Sequence, residues 1–143
     1  MFKTILVTTD FSANSAVAVR PAIEIAGRFE GRLVLIHALE GGSADAQVVP
    51  GELEELAAMS REQLHEFGTK EIGTKAPWTA EVVFGPAYLA ITDAAQRHGA
   101  DLIVVATHGR TGLLHLLLGS VAERVARMAA CPVLTVRPPR FTR

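Results

Sequence analysis

The residues whose types and spacing could do chemistry lie in one stretch: Ala106-x-x-Gly109, nine residues, then Gly119-Ser120. Gly109 and Gly112 can take backbone angles closed to other residues and let a ligand come close to the main chain. Gly119 and Ser120 open a run with helical patterning, and at a helix start unpaired N–H groups and the positive end of the macrodipole gather. A glycine-bearing loop running into a helix N-terminus is suited to an anion, phosphate above all. His108 and Arg110 fall inside the loop, as phosphate-neutralising groups or as solvated loop residues. Ser120 with Glu123 also reads as a capping box, which needs no ligand.

The elements that must position this loop follow from the rest of the chain. Short β-branched or apolar runs at residues 4–9, 32–38, 78–84, 101–106 and 132–136 read as strands. Between them lie helical patterns at 13–29, from Glu52 to about 68–73, at 87–98 and at 121–128. Ser12 is a natural N-cap for the first helix. Pro21 removes a hydrogen bond and clashes with the carbonyl four residues back, so a kink or break is expected between Val17 and Pro21. Residues 40–51, rich in glycine and bounded by Pro50-Gly51, read as a loop. Strands separated by helices throughout specify parallel pairing with right-handed crossovers, hence a three-layer α/β/α sandwich. Ligands of such sheets bind beyond the carboxyl ends of the strands, at the switch point. That rule brings Asp10, at the end of the first strand, beside residues 106–109.

Composition narrows the function. The chain has 143 residues, a single domain by length, and a formal net charge of −1, without the basic footprint that nucleic-acid binding requires. No apolar run approaches the roughly 20 residues of a membrane span, and the chain enters a strand at once with no leader, so a cytoplasmic protein is expected. Cys131 is the only cysteine, which leaves no internal disulfide and no cysteine cluster for zinc; beside Ala130 and Pro132 it reads as a small buried residue. His65, His98 and His115 lack metal-ligand spacing, and His37, on an apolar strand, reads as a hydrogen-bonded core residue. Neither the P-loop pattern nor Gly-x-Gly-x-x-Gly is present, and residues 8–12 contain no glycine.

What is present resembles the universal stress protein family, whose nucleotide motif is Gly-x-x-Gly, nine residues, Gly-Ser/Thr. The likeness runs nearly the length of the chain. It takes in Ile5-Leu-Val-Thr-Thr-Asp10-Phe-Ser12, His37, Gly85-Pro86-Ala87, residues 100–105, Thr107-His-Gly-Arg-Thr-Gly-Leu, Leu118-Gly-Ser-Val-Ala-Glu-Arg-Val and Cys131-Pro-Val-Leu-Thr-Val. The resemblance implies a Rossmann-like five-stranded parallel sheet of order 3-2-1-4-5 and homodimers paired along the fifth strand. It also implies ATP or another adenine nucleotide, with or without Mg2+, in the cleft located above, and a regulatory protein of the stress response with a protein partner of unknown identity. Carried over, Thr8 and Thr9 flank the base, Asp10 faces the ribose or adenine side, and Ala38 offers backbone groups to the adenine edge. Ala106, Thr107, His108, Gly109, Arg110, Gly119, Ser120 and Val121 surround the phosphates.

One departure stands out: Ala106 replaces the first glycine of the motif. Its methyl either narrows the cleft or, if the position needs a positive φ, strains the backbone. Two other readings of the cleft stay open. One is slow ATP hydrolysis or nucleotidyl transfer, for which Asp10, His108 and Arg110 are the available groups. The other is a nucleotide-free dimerisation or interaction module in which Ala106 closes the site.

Overall fold

A computed structural model describes residues 1–40, 50–107 and 120–138. In chain order the elements are β1 (Thr4–Thr8), α1 (Ala13–Ala16), α2 (Val19–Phe29), β2 (Arg32–Leu39), α3 (Pro50–Glu71), β3 (Trp78–Phe84), α4 (Ala87–His98), β4 (Leu102–Ala106), α5 (Ser120–Met128) and β5 (Val133–Val136). The five strands form one parallel sheet of order β3-β2-β1-β4-β5, as expected.

Side-chain alternation along β1 builds the three layers. Ile5 and Val7 point to one face with Leu33 and Leu35, where Ala18, Val19, Ala22 and Ala26 of the first helical segment and Leu64 of α3 cover them. Leu6 points to the other face with Val34 and Ile36, under Ala90, Ile91, Ala94 and Ala95 of α4 and Ala122 and Val125 of α5. The small residues of α2 and α4 let those helices lie close to a sheet whose central strands are apolar on both faces.

The first helical pattern breaks where proline predicted. α1 ends at Ala16 and α2 starts at Val19, which makes Pro21 the third residue of a helix. In that first turn the missing N–H has no intrahelical acceptor to lose, so the break removes the cost of an interior proline. α3 begins at Pro50, two residues before the acidic turn suggests, and proline suits a first helical position. Asp101, read as part of the fourth strand, lies just outside it. Its carboxylate accepts from Lys3 N at 2.9 Å and Thr4 N at 3.2 Å, while its own N–H donates to Thr4 O at 2.9 Å. This carboxylate fixes the start of β1 against β4. α4 closes on Gly99 at φ +64°, the left-handed cap expected after His98.

Candidate functional site

The carboxyl ends of the strands open on a cavity of about 280 Å³ at the β1/β4 switch point. Thr8, Thr9 and Asp10 line it from the end of β1 and the turn after it, His37 and Ala38 from β2, Val105, Ala106 and Thr107 from the end of β4 and just beyond, and Ser120, Val121 and Ala122 from α5. Ala87 and Ile91 of α4 supply a further apolar wall. Eight of the residues expected at the site thus meet there: Thr8, Thr9, Asp10, Ala38, Ala106, Thr107, Ser120 and Val121. His108, Gly109, Arg110 and Gly119 lie outside the described residues, as does the leucine run at 113–118.

The β1 side of the cleft is held by a network of hydroxyls. Thr9, buried, shares a hydrogen bond of 2.9 Å with the buried Ser15 hydroxyl and accepts from Phe11 N at 2.9 Å. The Ser15 hydroxyl donates to Ser12 O at 2.9 Å, and Ser15 N donates to the Ser12 hydroxyl at 3.1 Å, the N-cap the sequence indicates. Asp10 Oδ1 accepts from Ser12 N at 3.0 Å and from the Ser12 hydroxyl. Asp10 therefore both braces the turn into α1 and faces the cleft. These bonds satisfy a chain that has left the sheet and can no longer use ladder partners.

Phe11 carries the strain of that exit. Its φ of +70° lies in the left-handed region, which costs a non-glycine residue roughly 1–2 kcal/mol. The Thr9 hydroxyl holds its N–H. Its ring lies 4.2 Å from the His37 ring and 6.1 Å from Phe67 of α3. His37, nine-tenths buried, has Nδ1 at 2.9 Å from Thr9 O, so it is the hydrogen-bonded core histidine expected, and it also borders the cleft.

Backbone alternation decides what β2 presents. Ile36 C=O accepts from Thr9 N at 2.9 Å, and Leu39 C=O accepts from Gly85 N at 3.2 Å. Even-numbered residues of β2 thus face β1 and odd-numbered ones face β3. Ala38 N–H and C=O accordingly face the β1 side, beyond the last backbone rung between the two strands. One residue offers a donor and an acceptor side by side at the cleft.

On the far side, Ala106 pairs with Val136 and Thr107 N donates to Val136 O at 2.9 Å, so the backbone is sheet-like up to the loop. α5 begins at Ser120, which places that hydroxyl and the first-turn N–H groups of a nine-residue helix at the cleft. Glu123, the other half of the suggested capping box, pairs with Arg127 at 2.8 Å. Glu40, to which the sequence assigns only a loop boundary, accepts from Ala87 N at 2.8 Å and caps α4 at the edge of the cavity. Glu40, Phe11 and Ser15 support the walls of the cleft at positions that motif reading passes over. Ile91 was within its reach, since it follows Ala87 by one helical turn.

Among the described residues three titratable groups away from the cleft are perturbed: Glu81, Cys131 and Arg97, which its hydrogen bond to the Glu81 carboxylate pushes up. Burial pushes Glu81 up, but hydrogen bonds from Arg97 and His98, each at 2.7 Å, and their charges outweigh it and leave this carboxyl below its usual range. Burial and the nearby Asp101 carboxylate push the Cys131 thiol up. Cys131 is half-buried, lining a groove with Leu89 and Met128, so the buried position expected is realised only in part. Among the described residues no cluster of three or more His, Cys, Asp or Glu side chains could hold a metal, and no helix is long and apolar enough to cross a membrane.

A doubly wound parallel sheet with a cleft at its switch point, lined by hydroxyls, a carboxylate and apolar side chains, defines a Rossmann-like α/β protein. A match to the universal stress protein family spans residues 1–137, and the chain belongs to that family. Universal stress protein MJ0531 of Methanocaldococcus jannaschii is 34% identical over 98% of this chain and 85% of its own length. The solved structure of MJ0577, from the same organism, superposes with a TM-score of 0.84 at 26% identity, covering 99% of both chains. A universal stress protein solved in complex with cAMP superposes with a TM-score of 0.66 at 27% identity over 94% of this chain and 96% of that one.

Proposed function

We propose that this protein binds an adenine nucleotide, ATP in the first instance, in the switch-point cleft and acts as a regulator of the stress response. The observation that carries the proposal is the backbone of Ala38. Its N–H and C=O, facing the cleft together, offer a donor for adenine N1 and an acceptor for the N6 amine. Guanine presents the opposite pattern, a donor at N1 and an acceptor at O6, so this edge favours adenine. The likeness to a protein solved with cAMP supports the same choice of base.

The other residues present fit the rest of a nucleotide. Ala87, Ile91 and Val105 give apolar surface for a base, and Thr8, Thr9 and Asp10 give polar groups on the ribose side. Ser120 and the α5 first turn, with Ala106, Thr107 and Val121 around them, suit phosphate, and the family motif assigns His108, Gly109, Arg110 and Gly119 to the same role. Mg2+ would accompany the phosphates. A bound triphosphate neutralises the positive end of α5, giving the regulator two charge states to display to a protein partner. A homodimer through the edge of β5 and a cytoplasmic site of action belong to the same reading.

Calorimetric titration with ATP and Mg2+, run beside GTP, AMP and cAMP, tests the proposal. The expected result is saturable binding of the adenine nucleotides with GTP at least about tenfold weaker, the worth of one mismatched hydrogen-bonding edge. Absence of heat with every adenine nucleotide at millimolar concentration would sink it.

A further inference from the structure

We infer that His37 is a positioning residue: its ring takes the Thr9 carbonyl and thereby keeps the Ala38 N–H open to the cleft. In a parallel ladder a residue whose C=O accepts from one strand neighbour is followed, two residues on, by an N–H that donates to that same neighbour. Ile36 C=O accepts from Thr9 N at 2.9 Å. The next rung would therefore run from Ala38 N to Thr9 O. Instead Thr9 O meets His37 Nδ1 at 2.9 Å, and Ala38 N has no backbone acceptor among the described residues.

A carbonyl only accepts, so His37 carries hydrogen on Nδ1. The ring cannot swing away freely, because it is nine-tenths buried and stacked on Phe11 at 4.2 Å. Phe11 is held in turn by its N–H bond to Thr9 Oγ1 at 2.9 Å. A side chain thus stands in for a backbone donor at the rung where β1 leaves the sheet. Without it, the buried Thr9 carbonyl would draw in the Ala38 N–H, lengthening the ladder by one rung and closing the donor at the adenine edge. The consequence for a ligand rests on the nucleotide reading above; the partnering of Thr9 O does not.

Amide hydrogen exchange of the ligand-free protein tests the partnering directly. Ala38 is expected to exchange at least about tenfold faster than Ile36, whose amide lies within the paired ladder. His37→Phe keeps a ring on Phe11 but removes the donor, and is expected to slow exchange at Ala38 by a similar factor. His37→Asn places an amide nitrogen close to the position of Nδ1 and is expected to leave Ala38 as in the wild type. Titration of the same variants with ATP should show a five- to tenfold weakening for His37→Phe, about the worth of one neutral hydrogen bond, and recovery in His37→Asn.

Equal protection of Ala38 and Ile36 in the wild-type protein overturns the inference, whether or not the variants fold. So does unchanged Ala38 exchange in a folded His37→Phe protein. If exchange follows the expected pattern while ATP gives no heat with wild type, the role of His37 stands and the nucleotide reading falls.

Discussion

Ala106 is the single residue at which the chain departs from its family's glycine motif, and its backbone shows what kind of departure this is. It lies in extended β4, paired with Val136; positive φ among the described non-glycine residues occurs at Phe2, Phe11 and Glu30. The position therefore makes no conformational demand for glycine, and the methyl acts only by occupying space at the cleft. Ala106→Gly is expected to tighten ATP binding by no more than about fivefold, under ~1 kcal/mol. It should cost about 0.5–1 kcal/mol of stability through added chain entropy in a strand. Calorimetry and urea unfolding measure the two, and a hundredfold gain in affinity would show that the backbone did need glycine. At this scale Asp10 was legible because strand ends follow from the hydrophobic pattern, whereas Thr8, Thr9 and Ala38 were reached only through the family resemblance. Phe11 was not legible, since local propensity argues against an aromatic residue at φ +70°, and what holds it there is contact with His37 and Phe67 from distant segments.

At the scale of elements, type and order were legible while the links between element ends were not. The apolar runs specify five parallel strands, and Pro21 marks the α1/α2 break, because both depend on residues close in sequence. The clamp of Asp101 on the start of β1 and the cap of Glu40 on α4 join residues 98 and 47 positions apart, and periodicity carries no trace of either. Glu40 is the more consequential. β2 ends next to Ala38, and α4 begins at Ala87, so a carboxylate on the first N–H of α4 ties together two walls of the cleft. Pro86, the residue preceding α4, has no side chain able to cap it, and Gly85 at φ +112° turns the chain sharply beforehand. Glu40→Ala is accordingly expected to cost about 0.5–2 kcal/mol in urea unfolding, the range of a lost helix cap. Glu40→Gln, which keeps an acceptor oxygen but loses the charge at the helix dipole, should recover all but about 0.3–1 kcal/mol. Equal stability of all three proteins would show that solvent caps α4 just as well.

At the scale of the whole molecule, the sheet has two edges, and the β5 edge is the one the family likeness marks for pairing with a second copy. Ile103 N donates to Pro132 O at 3.0 Å and Thr107 N donates to Val136 O at 2.9 Å. Even-numbered residues of β5 are thereby committed to β4, and Val133 and Thr135 turn their N–H and C=O groups outward. An open edge of this kind is a template for strand pairing, and Leu134 adds exposed apolar surface beside it. Thr135→Pro removes an outward donor without touching a ladder bond inside the subunit, the one setting in which proline is tolerated within a strand. If copies associate through this edge, sedimentation velocity should give a dimer for the wild type and a monomer for Thr135→Pro. Urea unfolding extrapolated to the monomer should then change by less than about 1 kcal/mol, because no bond within the subunit is lost. A variant that stays dimeric would move the interface to another surface, and a wild type that sediments as a monomer would remove the dimer from the proposal. Because β5 is joined to β4, whose end carries Ala106 and Thr107, the same experiment repeated with ATP shows whether occupancy of the cleft reaches the edge of the sheet. A shift of at least about threefold in the dimerisation constant, close to 0.7 kcal/mol, is the smallest coupling that would let nucleotide binding be read out as assembly.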